Sequence, residues 1–256
     1  KNKLLDDSVV LSEVAAQTVG FSGADLSNLM NEAAIRAMRR QDTTIRRKDV
    51  ESALDRIMVG LPLSADRRRS FAVRERVAVH EAGHALVATC LEEYNRVSRV
   101  TIVPRTGGTG GFTALVPRDE QATEGLFTKD FLEAQLVSLM GGRAAEVLLL
   151  GLDRVTVGAS GDLRRAQEMA RRMVTEWGMG SNSLVYNRES RSWTTQDSID
   201  TQVAKLVDDA YARACSILNE HCAELQQLAR VLIEEETIDG DRVRELLSMA
   251  PSIESS

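Results

Sequence analysis

The chain has 256 residues, 43% hydrophobic and 27% charged, which fits a soluble globular protein with room for one large domain or a small and a medium one. A formal net charge of −6 gives no pull toward nucleic acid, and the basic clusters Arg46-Arg47-Lys48 and Arg67-Arg68-Arg69 are short enough to read as solvated surface. No apolar run approaches the roughly 18–20 residues that cross a bilayer, and no signal peptide is present. The first residue is Lys1 rather than methionine, so the chain reads as a fragment of something longer, whose membrane segments its own composition does not address. Cys90, Cys215 and Cys222 are odd in number, match no metal or redox spacing, and suit small packed side chains in a reducing compartment.

In chain order, residues 8–59 read as an all-helical block. A short helix begins at Ser12–Ala16, and Gly20-Phe21-Ser22-Gly23 makes a turn with Ser22 as N-cap. The next helix, about Ala24 to Arg40, places Leu26, Leu29, Met30, Ala33, Ala34 and Ala37 on its inner face. A third starts near Arg47, carries Val50, Ala53, Leu54 and Ile57, and stops at Gly60 before Pro62. The stretch LPLSADRRRS reads as a linker, giving a lid-sized unit over 1–60, a linker over 61–70 and a second domain over 71–256.

The second domain opens on a helix over residues 74–91, with Val77, Leu86, Val87 and Leu91 at helical spacing. Within it lies His80-Glu81-Ala82-Gly83-His84. Histidines four positions apart project from one helix face one turn apart, so both imidazoles can grip one metal ion. Glu81, one step around the rod, is placed to accept a proton from a water activated at that metal, the zincin arrangement. Gly83 costs about 1 kcal/mol of helix propensity against alanine, which implies a packing reason such as close approach of another element.

Beyond this helix, Val97–Val103 alternates as a strand ended by Pro104. TGGTGG then turns into a second strand, Phe112–Val116. The glycine run is not a phosphate loop, since no Lys-Ser/Thr follows it and no helix starts there. Residues 128–150 and 162–177 read as helices, the latter with Leu163, Ala166, Met169, Ala170, Met173 and Trp177 in register. The polar stretch 180–198 reads as irregular. A long helix follows from about Ile199 to Glu235, with a break near His221, and a short helix comes after it.

A catalytic zinc usually takes three protein ligands and keeps one open position. The remaining histidine, His221, lies on an amphipathic helix far along the chain and reads as a surface or packing residue. The third ligand is therefore expected to be a carboxylate. Glu146, in Gly-Gly-Arg-Ala-Ala-Glu, and Asp162, in Gly-Ala-Ser-Gly-Asp, are the two candidates, and Asp162 also suits a first-turn acid favoured by the helix dipole. Chemistry alone leaves the two level.

The segments HEAGHALV, VTIVPR, GGFT, GGRAAE, VGASGDL, ARRMVTEWGM and EETIDGD, in this order, resemble the M41 peptidase domain of the FtsH family of membrane-bound AAA+ zinc proteases. TVGFSGADLSNLMNEAA resembles the helical lid of that family's ATPase module. The resemblance implies a mainly α fold: a small helical AAA lid, then a predominantly helical zincin-type protease domain with a small β-sheet. It implies Zn2+ held by His80, His84 and Asp162, with Glu146 as the fallback ligand or a supporting acid, and Glu81 as general base. It further places a substrate edge strand at Gly111, Phe112, Thr113 and Ala114, and nucleotide proximity at Gly23 and Ala24. The chain departs from the family pattern at Val157, where threonine is common, at Gly161, where asparagine is common, and in the shortened 180–198 region.

By resemblance, the parent is a hexameric, membrane-anchored protease that degrades misassembled membrane proteins and short-lived soluble ones. Its catalytic domain would face the cytoplasm, stroma or matrix from a bacterial inner, thylakoid or mitochondrial inner membrane. The implied activity is zinc-dependent endopeptidase. The rivals are a catalytically silent assembly subunit, which the intact His80, Glu81 and His84 argue against, and a secreted thermolysin-like protease, which the odd cysteine count, the lid and the missing signal peptide disfavour. ATP and Mg2+ would serve the full-length parent alone, because these 256 residues hold neither G-x-x-x-x-G-K-[ST] nor an acidic magnesium strand. The purified chain is accordingly expected to release no phosphate from ATP above background in a malachite-green assay.

Overall fold

The structure is a computed structural model that describes residues 3–63, 69–106, 108, 110–117, 126–181 and 193–247. Parts of the TGGTGG turn, the middle of the expected linker and residues 182–192 of the polar stretch lie outside the described residues. The fold is mainly α, as expected. The chain divides into two compact units, one of Lys1–Arg68 with Val103–Gly111 and Leu115–Leu126, the other of Arg69–Ile102, Phe112–Ala114 and Phe127–Ser256.

The first unit carries helices α1 (Leu11–Gln17), α2 (Gly23–Arg39) and α3 (Arg47–Met58). Strands β1 (Leu4–Leu5) and β2 (Thr44–Ile45) pair in parallel, each too short for a sequence pattern to reveal. Ser22 caps α2 as expected: its hydroxyl accepts from Asp25 N–H, and the Asp25 carboxylate accepts from Ser22 N–H at 2.9 Å. Leu29, Ala33 and Ala37 of α2 pack with Ile45, Val50, Ala53 and Leu54, while Met30, Ala34 and Ile57 border that core. Leu26 departs from expectation. It is exposed because residues 22–28 at the start of α2 all face solvent, so the apolar stripe is covered only from Leu29 onward. Leu61 and Leu63, read as linker, make backbone hydrogen bonds with Thr106 and Pro104, and a buried Arg105–Asp55 ion pair at 2.9 Å lies in the same unit.

The second unit carries helices α4 (Phe71–Cys90), α5 (Lys129–Leu150), α6 (Ser160–Thr175), α7 (Trp193–Glu220), α8 (Cys222–Glu235) and α9 (Gly240–Leu246), of which α4, α8 and α9 contact a small sheet. Helix α4 packs on α5 and α8, and α7 packs on α5 and α6. Leu86, Leu136, Met140, Met173, Ile199, Leu218 and Leu225 are fully buried here. The long C-terminal helix does break at His221, between α7 and α8. Three further details differ from the sequence reading. Residues 193–198 are helical, being the first turns of α7. Leu163 is exposed, and Trp177 lies past the end of α6, where the Arg172 guanidinium sits 4.6 Å from its ring centroid.

The sheet order is β4-β3-β5, with β3 at Arg96–Thr101, β4 at Phe112–Val116 and β5 at Thr237–Asp239. Strand β5 was not expected. It is three residues long and pairs antiparallel with β3 through Val100–Ile238, a contact between distant parts of the chain that local periodicity does not encode. β4 stands at the sheet edge, with β3 on one side and no other strand among the described residues on its free side.

Gly83 has the packing reason that its cost implied. A Cβ at Gly83 would lie 2.4 Å from the Gly141 carbonyl oxygen and 2.5 Å from Ala145 Cβ, and a Cβ at Gly141 would lie 2.7 Å from the Gly83 oxygen. The backbones of α4 and α5 touch there with no side chain between them. Gly83→Ala is therefore expected to destabilise the metal-free chain by about 1–3 kcal/mol in urea unfolding, although alanine is the better helix former.

Candidate metal centre

The site is built where α4, α5 and the start of α6 meet. His80 and His84 project from the same face of α4, one turn apart, with ring centroids 4.7 Å apart. Asp162 stands in the first turn of α6, where its negative charge also complements the helix dipole. Three donor atoms converge: His80 Nε2 and His84 Nε2 are 3.1 Å apart, and Asp162 Oδ2 lies 3.3 Å from the first and 3.4 Å from the second. Among the described residues, His80, His84 and Asp162 are the group that can hold a metal ion.

The chemistry of these donors tests the fit. His84 Nδ1 lies 2.8 Å from the Ser138 carbonyl oxygen, which can only accept, so Nδ1 carries the proton and Nε2 presents its lone pair. His80 Nδ1 likewise donates to Glu146 Oε1 at 2.7 Å, leaving its Nε2 lone pair facing inward. Two nitrogen lone pairs and a carboxylate oxygen thus face one another at contact distance, an arrangement that repels itself unless a cation lies among them. Their separations match the ~3.3 Å edge of a tetrahedron whose bonds to zinc are about 2.0–2.1 Å long. The donor set fits Zn2+, with the fourth corner left to water or substrate.

The electrostatics point the same way. Burial works against a charge on His80, yet hydrogen bonds to Asp162 and Glu146, with the Glu81 charge added, push its pKa up to about 10. Burial likewise opposes the charges on Asp162 and Glu146. His80 and His84 hold Asp162 below the usual carboxylate range, and His80 with the Thr156 N–H does so for Glu146. The cluster therefore retains a positive charge at its centre, which a proton supplies when no metal does.

Glu146, the alternative third ligand, faces the back of His80 instead of the space between the Nε2 atoms. It is 1% exposed; its Oε1 accepts from His80 Nδ1–H and its Oε2 accepts from the Thr156 N–H at 2.7 Å. One buried acid thus orients an imidazole and anchors the turn that leads to Asp162. Glu81 is also buried, which pushes its carboxyl up against the pull of His84, His80 and the Thr113 hydroxyl. Phe112, Thr113 and Ala114 lie on the edge strand β4, and Gly111 precedes it. Gly23 and Ala24 open α2 in the first unit, both exposed. His221 sits at the α7–α8 break, 3.8 Å from the Glu224 carboxylate.

Sequence reasoning missed Gly142 and Thr156. A Cβ on Gly142 would lie 2.5 Å from His80 Cε1 and 2.6 Å from His84 Nε2, so the imidazoles occupy the space that this glycine leaves. The Gly141-Gly142 pair was the available signal, since two glycines inside a helical pattern cost stability and require a reason. Gly142→Ala is expected to weaken zinc affinity by at least about 10- to 100-fold, the loss typical when ligand orientation is disturbed, while far-UV circular dichroism stays unchanged. Competition with a chromogenic chelator measures the affinity.

Residues 68–246 match peptidase family M41, and residues 8–52 match the AAA+ lid domain. The chain is 43% identical over 256 residues to an ATP-dependent zinc metalloprotease FtsH 2 of Symbiobacterium thermophilum, covering 97% of this chain and 43% of that protein. It is 39% identical to an ATP-dependent zinc metalloprotease FtsH 3 of a Synechocystis strain, covering 97% of this chain and 42% of that relative. It is 38% identical to the chloroplastic ATP-dependent zinc metalloprotease FTSH 1 of Arabidopsis thaliana, covering 96% and 36%. The chain thus spans about two fifths of the length of these curated relatives. With a match over most of its length and a His-Glu-x-x-His helix facing an aspartate, the chain belongs to peptidase family M41.

Proposed function

We propose that the chain is the peptidase portion, with an attached ATPase lid, of an ATP-dependent zinc metalloprotease that hydrolyses peptide bonds in unfolded or misassembled proteins. The observation that carries this reading is the convergence of His80 Nε2, His84 Nε2 and Asp162 Oδ2 beside the buried Glu81. Zinc, when bound, supplies Lewis-acid polarisation of the scissile carbonyl and makes water a competent nucleophile near neutral pH. His80 and His84 hold their Nε2 atoms inward because Glu146 and the Ser138 carbonyl fix the opposite nitrogens. Glu81 takes a proton from the attacking water as the new C–O bond forms. It then delivers that proton to the departing amine as the C–N bond breaks.

The edge position of β4, the strand that carries Phe112, Thr113 and Ala114, supports docking of substrate as an added strand. Main-chain hydrogen bonds of that kind read little sequence, which suits a protease of varied substrates. In the parent, Gly23 and Ala24 would lie near the nucleotide. Hexameric assembly, membrane anchoring and placement at a bacterial inner, thylakoid or mitochondrial inner membrane are part of the same proposal, carried by similarity to FtsH proteins. No helix among the described residues is long and apolar enough to cross a membrane, so anchoring is assigned to other segments of the parent.

The zinc-loaded chain should cleave fluorogenic unfolded casein, and a chelator should abolish the cleavage. Glu81→Gln should keep its zinc and lose about 10^2- to 10^4-fold in kcat, the range for removing a general base. A zinc-loaded chain that cleaves nothing would instead mark it as a silent subunit of an assembly.

A further inference from the structure

We infer that Thr113 is a positioning residue, whose hydroxyl, carried on the edge strand, holds the Glu81 carboxylate where it can exchange a proton. The inference rests on the peptidase reading above. Thr113 Oγ1 lies 3.1 Å from Glu81 Oε2 and 3.4 Å from the Glu81 carbonyl oxygen. A hydroxyl has one proton to give, and the shorter contact, to the carboxylate, takes it. Glu81 is only 6% exposed, and no other described side chain donates to its carboxylate. A terminal carboxylate rotates in a broad, shallow well, so a buried one keeps its orientation only if a partner fixes it.

Threonine suits that task better than a longer polar residue. Its branched Cβ restricts χ1, so the hydroxyl is a stiff donor on a strand whose backbone is held by β3. Proton transfer requires the base within hydrogen-bond reach of its partner, and a misplacement of about 1 Å can cost about 10^2-fold. The same strand offers its free edge to a polypeptide. Thr113 therefore joins the surface that would receive substrate to the group that would act on it.

Thr113→Val keeps the shape and removes the donor, whereas Thr113→Ser keeps the donor. With unfolded casein, Thr113→Val is expected to lower kcat about 10- to 100-fold with KM changed less than about 2-fold, and Thr113→Ser to recover kcat to within about 3-fold. Zinc content should stay at the wild-type level in both. A second readout needs neither metal nor turnover: in the metal-free chain, the urea-midpoint shifts of Thr113→Val and Glu81→Ala should fail to add, as for residues in contact. Additive midpoints, loss of zinc from Thr113→Val, or unchanged kcat in that variant beside an active wild type would each overturn the inference. An inactive, zinc-loaded wild type overturns the peptidase reading itself, and the non-additive midpoints would then still report the hydrogen bond.

Discussion

Contact between the backbones of α4 and α5 is the constraint on which the rest of the centre depends. Gly83 and Gly141 let two helices approach until a carbonyl of one fills the place of a side chain on the other. At that separation His84 reaches the Ser138 carbonyl, His80 reaches Glu146, and Gly142 leaves the volume that both rings occupy. Helix pairs usually stand about 8–10 Å apart with side chains between them, a spacing that would withdraw these partners from the imidazoles. Three glycines, each unfavourable for the helix that contains it, are thus offset by the geometry they permit.

A chain of polar contacts then carries order from the rod outward. Ser138 and Glu146 fix which nitrogen of each imidazole bears a proton, which aims the remaining lone pairs at a common point. The second oxygen of Glu146 holds the Thr156 N–H, and the Thr156 hydroxyl in turn accepts from the Gly158 N–H. From there the turn runs directly into α6 and Asp162. Each buried charge in the cluster has a partner of opposite sign or a hydrogen-bond donor, which is how buried ionisable groups are tolerated.

Much of this was legible because it is local. The spacing of His80 and His84 puts both on one face of any helix, with Glu81 one step around it, and Gly83 announced a close neighbour by its cost alone. Ser22 followed by Asp25 marked the start of α2, and His221 marked the break between the last long helices. What escaped depends on how elements cross. Glu146 and Asp162 are both acids near glycines that chemistry alone left level; the family resemblance favoured Asp162, and the crossing of α4, α5 and α6 is what turns one oxygen toward the Nε2 atoms and the other toward a ring from behind. Gly142 looked like part of a glycine pair until the imidazoles filled its space. Strand β5 exists because Ile238 meets Val100, which local periodicity does not encode, and Leu163 is exposed although it lies at helical spacing.

His80 and His84 come from one helix and Asp162 from another, reached through a turn that the chain makes long after leaving the first. An ion gripped by all three is therefore a cross-link between distant residues, closing a loop that no disulfide closes among the described cysteines. The binding energy of such an ion would belong to the folded state as a whole, so its withdrawal would be felt at the start of α6 as well as at the histidines. In this fold an ion bound at the proposed centre would also be the clasp that keeps the chain closed.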